Sequence, residues 1–296
     1  MEAVFGWEAS RGFANSRRDA ALLSSTAMKF PEVPSTTGQA PELDRRDWIA
    51  GLEHGLSVLD CFDEAHSRMT AAQVGERCGM TRTAARRYLL TLQYLGYVAT
   101  DGKLYWLTPR VLRLAQRYLE SSRLARIAQP YLQRVTQGTQ EISYIAVMDA
   151  DDVVVIARNG PNRVMNTGFV LGARVPAQVT AVGLVLLAER SKEEIDAWLA
   201  KEPLRAYTMH SIVEPDQMRH VLQLTRKHGY AVSEQQLELN YRGIAVPVRD
   251  RKGTAVAALS VTLPMGQVRG FETKDEARDR VLKVMRETAF AMRDLI

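Results

Sequence analysis

Three arginines, Arg82, Arg86 and Arg87, lie within six consecutive residues among threonine and alanine. Thr81 and Thr83 stand beside them. Guanidinium groups bind guanine edges through paired hydrogen bonds or bind phosphates, and threonine hydroxyls can reach either group. These residue types therefore predict a contact with nucleic acid. An arginine-rich helix face that only meets water is the alternative interpretation.

The residues around these arginines have the pattern of a helix-turn-helix. Thr70 and Gln73 form the T-x-x-Q pattern of a capping box, which predicts the start of a first helix. Gly79 would end that helix, and Thr81 is a good N-cap for a second. At 100° per residue, the apolar residues of the second helix fall on the side opposite Arg86 and Arg87, with Arg82 on the flank. Gly75 predicts a close crossing of the two helices.

Two further elements flank the pair of helices. Apolar residues at three- and four-residue spacing predict a preceding amphipathic helix whose stripe needs a cover: Trp48, Leu52, Leu56, Leu59 and Phe62. Asp101-Gly102, between two β-type segments, predicts a two-residue hairpin with Lys103 at its tip. Residues 45–122 carry eleven Arg and Lys against eight Asp and Glu. The sequence thus predicts a winged helix-turn-helix, whose second helix enters the major groove of DNA.

Composition places this module within a larger protein. The chain has 296 residues, of which 46% are hydrophobic, and a formal net charge of +5. The length suits a protein of two domains, and the positive charge suits an anionic partner. No apolar run is long enough for a membrane span and no secretory leader is evident, which predicts a cytoplasmic protein with no membrane partner.

Motifs for catalysis and for metal binding are missing from the sequence. Cys61 and Cys78 form no CxxC pair and the five histidines are scattered, so neither a disulfide, a metal nor a cofactor is expected. The chain contains no G-x-S-x-G, no H-E-x-x-H and no phosphate-binding glycine loop. The sequence therefore argues against an enzyme.

Changes in pattern along the chain predict its domains. Residues 1–44 mix Ser, Thr, Pro and Gly without a sustained period, which predicts a disordered tail. Residues 45–109 would form the winged helix-turn-helix, and helical spacing over 110–122 predicts a linker helix. Residues 123–296 alternate strand-like and helical segments, which predicts an α+β domain with a mainly antiparallel sheet.

The segment AAQVGERCGMTRTAARRYLLTLQYLGYV resembles the winged N-terminal domain of IclR-type bacterial transcription regulators. The resemblance continues through GARVPAQVTAVGLVLLA and GYAVSEQQLELNYRGIAVPVRDRKGTAVAALSVTLP and covers about residues 45–296. Within the family, TRTAARRYLLTL and RVPAQVTAVGLVLLA are most similar to the PobR, PcaU and PcaR branch of p-hydroxybenzoate and protocatechuate regulators. The resemblance implies a GAF-like effector-binding domain at the C terminus.

The same resemblance implies how the protein would work. It would bind a palindromic operator in double-stranded DNA as a homodimer or homotetramer, and an effector would shift the relative placement of its DNA-binding modules. The branch implies an activator that answers a small aromatic acid, p-hydroxybenzoate or protocatechuate. A repressor that answers a small aliphatic keto acid is one alternative, and a small-molecule-binding module without a role on DNA is another.

The resemblance also implies an effector pocket with two walls. One wall would contain Val164, Thr167, Val175, Ala181 and Val182, and the other Ser233, Tyr241, Gly243, Ser260 and Thr262. Thr180 would begin a helix whose first amides can hold a carboxylate. For each hydroxyl, a satisfied position in the core is the alternative. Two residues depart from the family pattern: Gln178 replaces a His or aromatic residue, and Asn240 replaces a glycine.

Overall fold

The structure is a computed structural model that describes residues 44, 46–160, 169–265 and 274–296. The tail expected over residues 1–44 lies outside the described residues apart from Asp44, and so do Val164 and Thr167. The described chain divides into two compact units, Asp47–Thr108 and Pro109–Ile296. Each unit has its own hydrophobic core.

The first unit consists of three helices and a hairpin. Helix α1 spans Ala50–Asp60, α2 spans Ala71–Arg77 and α3 spans Arg82–Tyr94. Strand β1 (Val98–Thr100) pairs antiparallel with β2 (Tyr105–Leu107). This order of elements confirms the predicted winged helix-turn-helix.

Helix α2 begins and ends as its sequence predicts. Thr70 Oγ1 accepts a hydrogen bond from the Gln73 amide at 3.3 Å, and Gln73 Oε1 accepts one from the Thr70 amide at 2.9 Å. Gly79 follows the helix with φ of +64°, a conformation that glycine adopts without strain. A Cβ on Gly75 would lie 2.8 Å from the carbonyl oxygen of Met80. Glycine at position 75 therefore lets the turn pass close to α2.

The apolar stripe of α1 is not covered within its own unit. Trp48 is 53% exposed, Leu52 61% and Leu56 50%. Only the inner side of the helix joins the core, with Val58 fully buried and Leu59 packed partly against it. The predicted stripe therefore meets the core of its own unit only at Leu59 and Phe62, and Trp48, Leu52 and Leu56 remain without the cover that the pattern calls for.

The hairpin loop is longer than its dipeptide predicts. Thr100 pairs with Tyr105, so the loop contains the four residues 101–104 instead of two. The Asp101 carboxylate accepts hydrogen bonds from the amides of Lys103 at 2.9 Å and Leu104 at 2.8 Å. Because the side chain closes the turn, the strands need not be joined by a tight two-residue loop.

The second unit is built on a six-stranded sheet in the order β5-β4-β3-β8-β7-β6, with every neighbouring pair antiparallel. The strands are β3 (Ile142–Asp149), β4 (Asp152–Asn159), β5 (Arg174–Pro176), β6 (Ala231–Glu234), β7 (Tyr241–Arg249) and β8 (Ala255–Pro264). The helices are α4 (Leu112–Ser121), α5 (Arg123–Thr139), α6 (Ala181–Ala188), α7 (Lys192–Lys201), α8 (Pro215–His228) and α9 (Lys274–Met292). The α+β prediction is confirmed.

Helices cover both faces of this sheet. Successive side chains of a strand point to opposite faces, so Tyr144 and Ile145 belong to different cores. Tyr144 faces the core that includes α6 and α8, and Ile145 faces the core of α5 and α9. All residues of α6 are buried, which places this helix between the sheet and α8.

The start of α6 is held by a short turn before it. Residues Ala177–Val179 form one turn of 3-10 helix, and Thr180 Oγ1 then accepts a hydrogen bond from the Gly183 amide at 3.1 Å. A Cβ on Gly183 would lie 2.1 Å from the Ala177 carbonyl oxygen. The helix can therefore begin at this place only because residue 183 has no side chain.

Candidate nucleic-acid interface and effector pocket

The side chains predicted to contact DNA are exposed in the first unit. The set comprises Thr81, Arg82, Thr83, Arg86, Arg87 and Lys103. Within the described part of the chain, the salt bridges include none of these four cations. The positive charges are therefore available to an anion outside the protein.

Helix α3 separates its charged side from its buried side. Ala85, Leu89 and Leu92 are buried in the core of the unit, and the arginines lie away from them. Thr81 serves as N-cap, since its Oγ1 accepts a hydrogen bond from the Ala84 amide at 3.2 Å. The Thr81 hydroxyl can still donate its proton to a phosphate oxygen, so Thr81 can cap the helix and contact DNA at the same time.

The second unit contains a pocket of about 410 Å³, a volume that includes its open mouth. It lies among the start of α6, strands β3 and β6–β8, and residues 235–238. The structure brings together six of the residues expected there: Thr180, Ala181, Ser233, Tyr241, Gly243 and Thr262. The remaining lining residues were not expected: Tyr144, Phe169, Val179, Gln235, Gln236, Leu237 and Glu238.

Three expected residues lie beside the pocket without lining it. Val175 and Val182 are buried in the hydrophobic core around α6. Ser260 is fully buried and its Oγ donates to the carbonyl oxygen of Ile244 at 2.9 Å. The structure thus places Ser260 as a satisfied core hydroxyl, which is the alternative that the sequence left open.

The floor of the pocket is a row of residues across three strands. Ser233 pairs with Gly243, and Gly243 pairs with Thr262. A Cβ on Gly243 would lie 3.3 Å from the Cβ of Ala181 at the start of α6. The glycine therefore preserves the space between the sheet and the first turn of that helix.

Two polar atoms in the pocket are buried without a hydrogen-bond partner, Thr262 Oγ1 and Gln236 Oε1. By contrast, Ser233 Oγ donates to the Val179 carbonyl oxygen at 2.7 Å. An unsatisfied buried polar group costs on the order of 1–3 kcal/mol, so native structures usually pair it with protein, water or ligand. These two atoms therefore mark where a bound molecule can form hydrogen bonds.

One wall of the pocket is aromatic. The rings of Tyr144 and Phe169 stack with centroids 4.8 Å apart and planes 15° from parallel. Burial raises the pKa of Tyr144 to about 12, while the hydroxyls of Ser260 and Thr262 act to lower it. The Thr262 hydroxyl lies near enough to lower the pKa of Tyr144, but its Oγ1 does not have the geometry of a hydrogen bond to the phenol. The phenol is therefore neutral near pH 7.

The described lining contains no Lys, Arg or His, and its only carboxylate, Glu238, is exposed. Backbone amides are the positive groups that remain for an anionic ligand. In α6 the first helical hydrogen bonds start from Gly183 and Leu184, both of which donate to Thr180. The amide of Ala181, which lines the pocket, precedes them and can bind a carboxylate.

The two departures from the family pattern have structural explanations. Gln178 does not line the pocket, because its Nε2 donates to the Arg205 carbonyl oxygen at 2.7 Å and its Oε1 accepts from the Arg205 amide. Asn240 has φ of +65°, a left-handed conformation that glycine adopts freely and asparagine tolerates. Neither substitution blocks the pocket.

The described residues contain no group of three or more His, Cys, Asp or Glu side chains that could hold a metal ion. Cys61 and Cys78 are free thiols. No helix in the described ranges is long and apolar enough to cross a membrane.

A winged helix with exposed, unpaired cations and a separate unit with a small-molecule pocket define a DNA-binding regulator with an effector domain. Sequence comparison agrees with this class over most of the chain. The IclR helix-turn-helix domain matches residues 51–102, and the bacterial transcriptional regulator IclR C-terminal domain matches residues 116–292. The chain belongs to the IclR family of bacterial transcriptional regulators.

Similar proteins include regulators of aromatic catabolism. The p-hydroxybenzoate hydroxylase transcriptional activator of Acinetobacter baylyi is 37% identical over 260 residues, which are 86% of this chain and 94% of that protein. The Pca regulon regulatory protein of Pseudomonas putida is 36% identical over 280 residues, 90% of this chain and 95% of that one.

A solved structure extends the similarity to the effector domain. It is a double mutant of the PobR inducer-binding domain from Acinetobacter, in complex with 3-hydroxybenzoic acid. Its sequence is 32% identical, the TM-score is 0.55, and the match covers 58% of this chain and 99% of that chain. The prediction of a regulator in the p-hydroxybenzoate and protocatechuate branch is confirmed by these similarities.

Proposed function

We propose that this protein activates aromatic-acid catabolic genes when p-hydroxybenzoate or protocatechuate occupies the pocket of its second unit. The observation that carries the proposal is the pocket itself, which joins stacked aromatic rings to buried, unpartnered polar atoms. The names of the relatives support it, since one is a p-hydroxybenzoate hydroxylase activator and another was crystallised with 3-hydroxybenzoic acid.

An aromatic acid suits each part of the lining. Its ring can pack against the aromatic wall of Tyr144 and Phe169, because aromatic rings favour stacked or edge-to-face contacts with one another. Its carboxylate can accept hydrogen bonds from the Ala181 amide and from the Thr262 hydroxyl, both of which line the pocket. A small aliphatic keto acid would leave most of the aromatic wall uncovered, so the ring compound fits better.

Calorimetry on the full-length protein tests the effector. We expect heat of binding with p-hydroxybenzoate or protocatechuate, and much weaker binding of pyruvate, which has the acid group but no ring. If pyruvate binds tightly and neither aromatic acid binds at millimolar concentration, the keto-acid alternative replaces the proposal. Transcription in vitro with and without the bound acid then distinguishes an activator from a repressor.

For DNA, we propose that α3 enters the major groove and that Thr81, Arg82, Thr83, Arg86, Arg87 and Lys103 contact the operator. Arg86→Ala or Arg87→Ala should weaken operator binding by about 1–3 kcal/mol where a base edge is lost. Loss of a phosphate contact would weaken all sequences alike and reduce the salt dependence. Unchanged binding by both folded variants, in gel-shift titrations with DNA upstream of the gene, would contradict this assignment.

We further propose that the protein works in the cytoplasm as a homodimer or homotetramer on a palindromic operator. The exposed stripe of α1 supports the assembly, because a row of exposed apolar side chains at helical spacing suits burial against a second copy. Two modules also double the DNA surface that one winged helix can contact.

A further inference from the structure

We infer that Arg68 is an additional phosphate-binding residue, presented to DNA from the side of the wing. It lies before α2, outside the recognition helix, and no spacing in the sequence connects it with the hairpin. The inference builds on DNA binding by the winged helix but on none of the individual contacts proposed for α3. It adds to the interface one cation, whose position is fixed by tertiary structure.

The chain just before α2 is hydrogen-bonded to strand β2 of the wing. Met69 and Tyr105 form an isolated antiparallel bridge, in which the Met69 amide donates to Tyr105 at 3.0 Å and the Tyr105 amide donates to Met69 at 2.8 Å. This bridge fixes the backbone of Arg68 against β2. The position of Arg68 relative to the hairpin is therefore set by main-chain hydrogen bonds.

The Arg68 side chain lies on the outer face of the hairpin. Its guanidinium carbon is 4.3 Å from the ring centroid of Trp106. Trp106 pairs with Ala99, whereas the neighbouring residues Val98 and Tyr105 point into the core. Stacking occupies one face of the planar guanidinium and leaves the N–H groups at its edge for a phosphate.

Charge around the hairpin also favours this role. The hairpin itself carries one acid, Asp101, and one base, Lys103, so it has no net charge. Hydrogen bonds from the amides of Leu104 and Lys103 lower the pKa of Asp101, and the nearby charge of Arg68 adds to this effect. Among the described residues Arg68 forms no salt bridge. Arg68 therefore supplies the net positive charge of the wing.

The test is the salt dependence of DNA binding by full-length variants. We would titrate the wild type, Arg68→Ala and Lys252→Ala with duplex DNA from upstream of the gene across a tenfold range of salt. Lys252 is an exposed cation in the second unit, so its variant is a control for net charge. Loss of one phosphate contact should reduce the slope of log K against log salt concentration by about 0.9. The ratio of wild-type affinity to Arg68→Ala affinity should therefore grow about eightfold when the salt is diluted tenfold.

Two further variants separate contact with phosphate from support of the wing. Trp106→Leu removes the stacking partner and keeps the charge, so we expect weaker binding with a nearly unchanged salt slope. Arg68→Lys also keeps the charge and should retain most of the slope while losing affinity. The inference would be overturned if Arg68→Ala kept the salt slope of the wild type while Lys103→Ala showed a reduced slope. Failure of the wild type to bind any duplex would instead contradict the proposed function.

Discussion

Ser260 and Thr262 lie two residues apart on β8, and both hydroxyls are buried. Ser260 Oγ has a partner in the Ile244 carbonyl oxygen, whereas Thr262 Oγ1 has none among the described residues. An unpartnered hydroxyl that lines a pocket can gain a hydrogen bond from a ligand at no cost to the protein. The two residues should therefore respond differently to the same substitution.

Thr262→Val should reduce affinity for p-hydroxybenzoate by about 1.5–3 kcal/mol, the value of a hydrogen bond to a charged group. Ser260→Val should leave the intrinsic affinity nearly unchanged and lower stability by about 1–3 kcal/mol, because Ile244 loses a partner and the core gains volume. Calorimetry and urea unfolding of both variants measure the two effects. Equal loss of affinity in both would mean that Ser260 also reaches the ligand.

Tyr144 should make stability fall at alkaline pH. Its pKa is about 12 in the folded protein against an ordinary value of 10.0, so below pH 10 the phenol is neutral in both states. Above pH 10 the unfolded chain ionises first and is favoured, and the loss approaches about 2–3 kcal/mol at pH 12. Urea unfolding between pH 9 and 11.5 should show a steeper decline for the wild type than for Tyr144→Phe. Parallel declines would contradict the burial of this phenol.

The residues of the pocket could be predicted only in part. Ser233, Gly243 and Thr262 were found by family resemblance, and antiparallel register brings them into one row. Gln236 and Leu237 lie in an irregular segment whose path depends on tertiary hydrogen bonds, such as Ser211 Oγ to the Gln236 carbonyl oxygen at 2.6 Å. No period in the sequence encodes such a path.

At the scale of elements, side chains at helix ends determine where several helices begin. Thr70 and Gln73 form the expected capping box of α2, and Gly79 follows that helix with φ of +64°. Such signals are local, so the sequence predicted them correctly. By contrast, β5 has three residues, too few for a recognisable alternation, and it exists because β4 offers it an edge.

Thr81→Ala should destabilise the first unit by about 1 kcal/mol, because the Ala84 amide loses its cap at the start of α3. Thr83→Ala is the matched control, since Thr83 is equally exposed but caps nothing. Thermal unfolding of both variants, compared with Thr81→Ser, measures the difference. If Thr81→Ala and Thr83→Ala unfold alike, the cap contributes no stability.

At the scale of the whole molecule, the exposed stripe of α1 is the feature that a single chain leaves unexplained. The sequence predicted the period of this stripe and its need for a cover. Hydrophobic spacing does not identify the surface that covers it. Periodicity thus predicts that Trp48, Leu52 and Leu56 form an apolar face, but not which surface covers that face.

Leu52→Glu together with Leu56→Glu should convert the protein to a smaller species, because two carboxylates on this face oppose burial against a second copy. We expect light scattering to give a multiple of 33.2 kDa for the wild type and a lower mass for the variant. Glu64→Gln, a change of charge at an exposed residue beyond the end of α1, is the control. A wild type that stays at one chain mass at all micromolar concentrations would contradict the assembly.

The absence of room at Gly183 has a consequence for genetics. Every missense change of this codon adds a side-chain carbon where the Ala177 carbonyl oxygen would be only 2.1 Å away. A random mutagenesis screen for strains that no longer respond to the effector should therefore recover diverse alleles at this one codon. Suppressors within the same gene should be rare, because a clash with backbone cannot be relieved by trimming a neighbouring side chain.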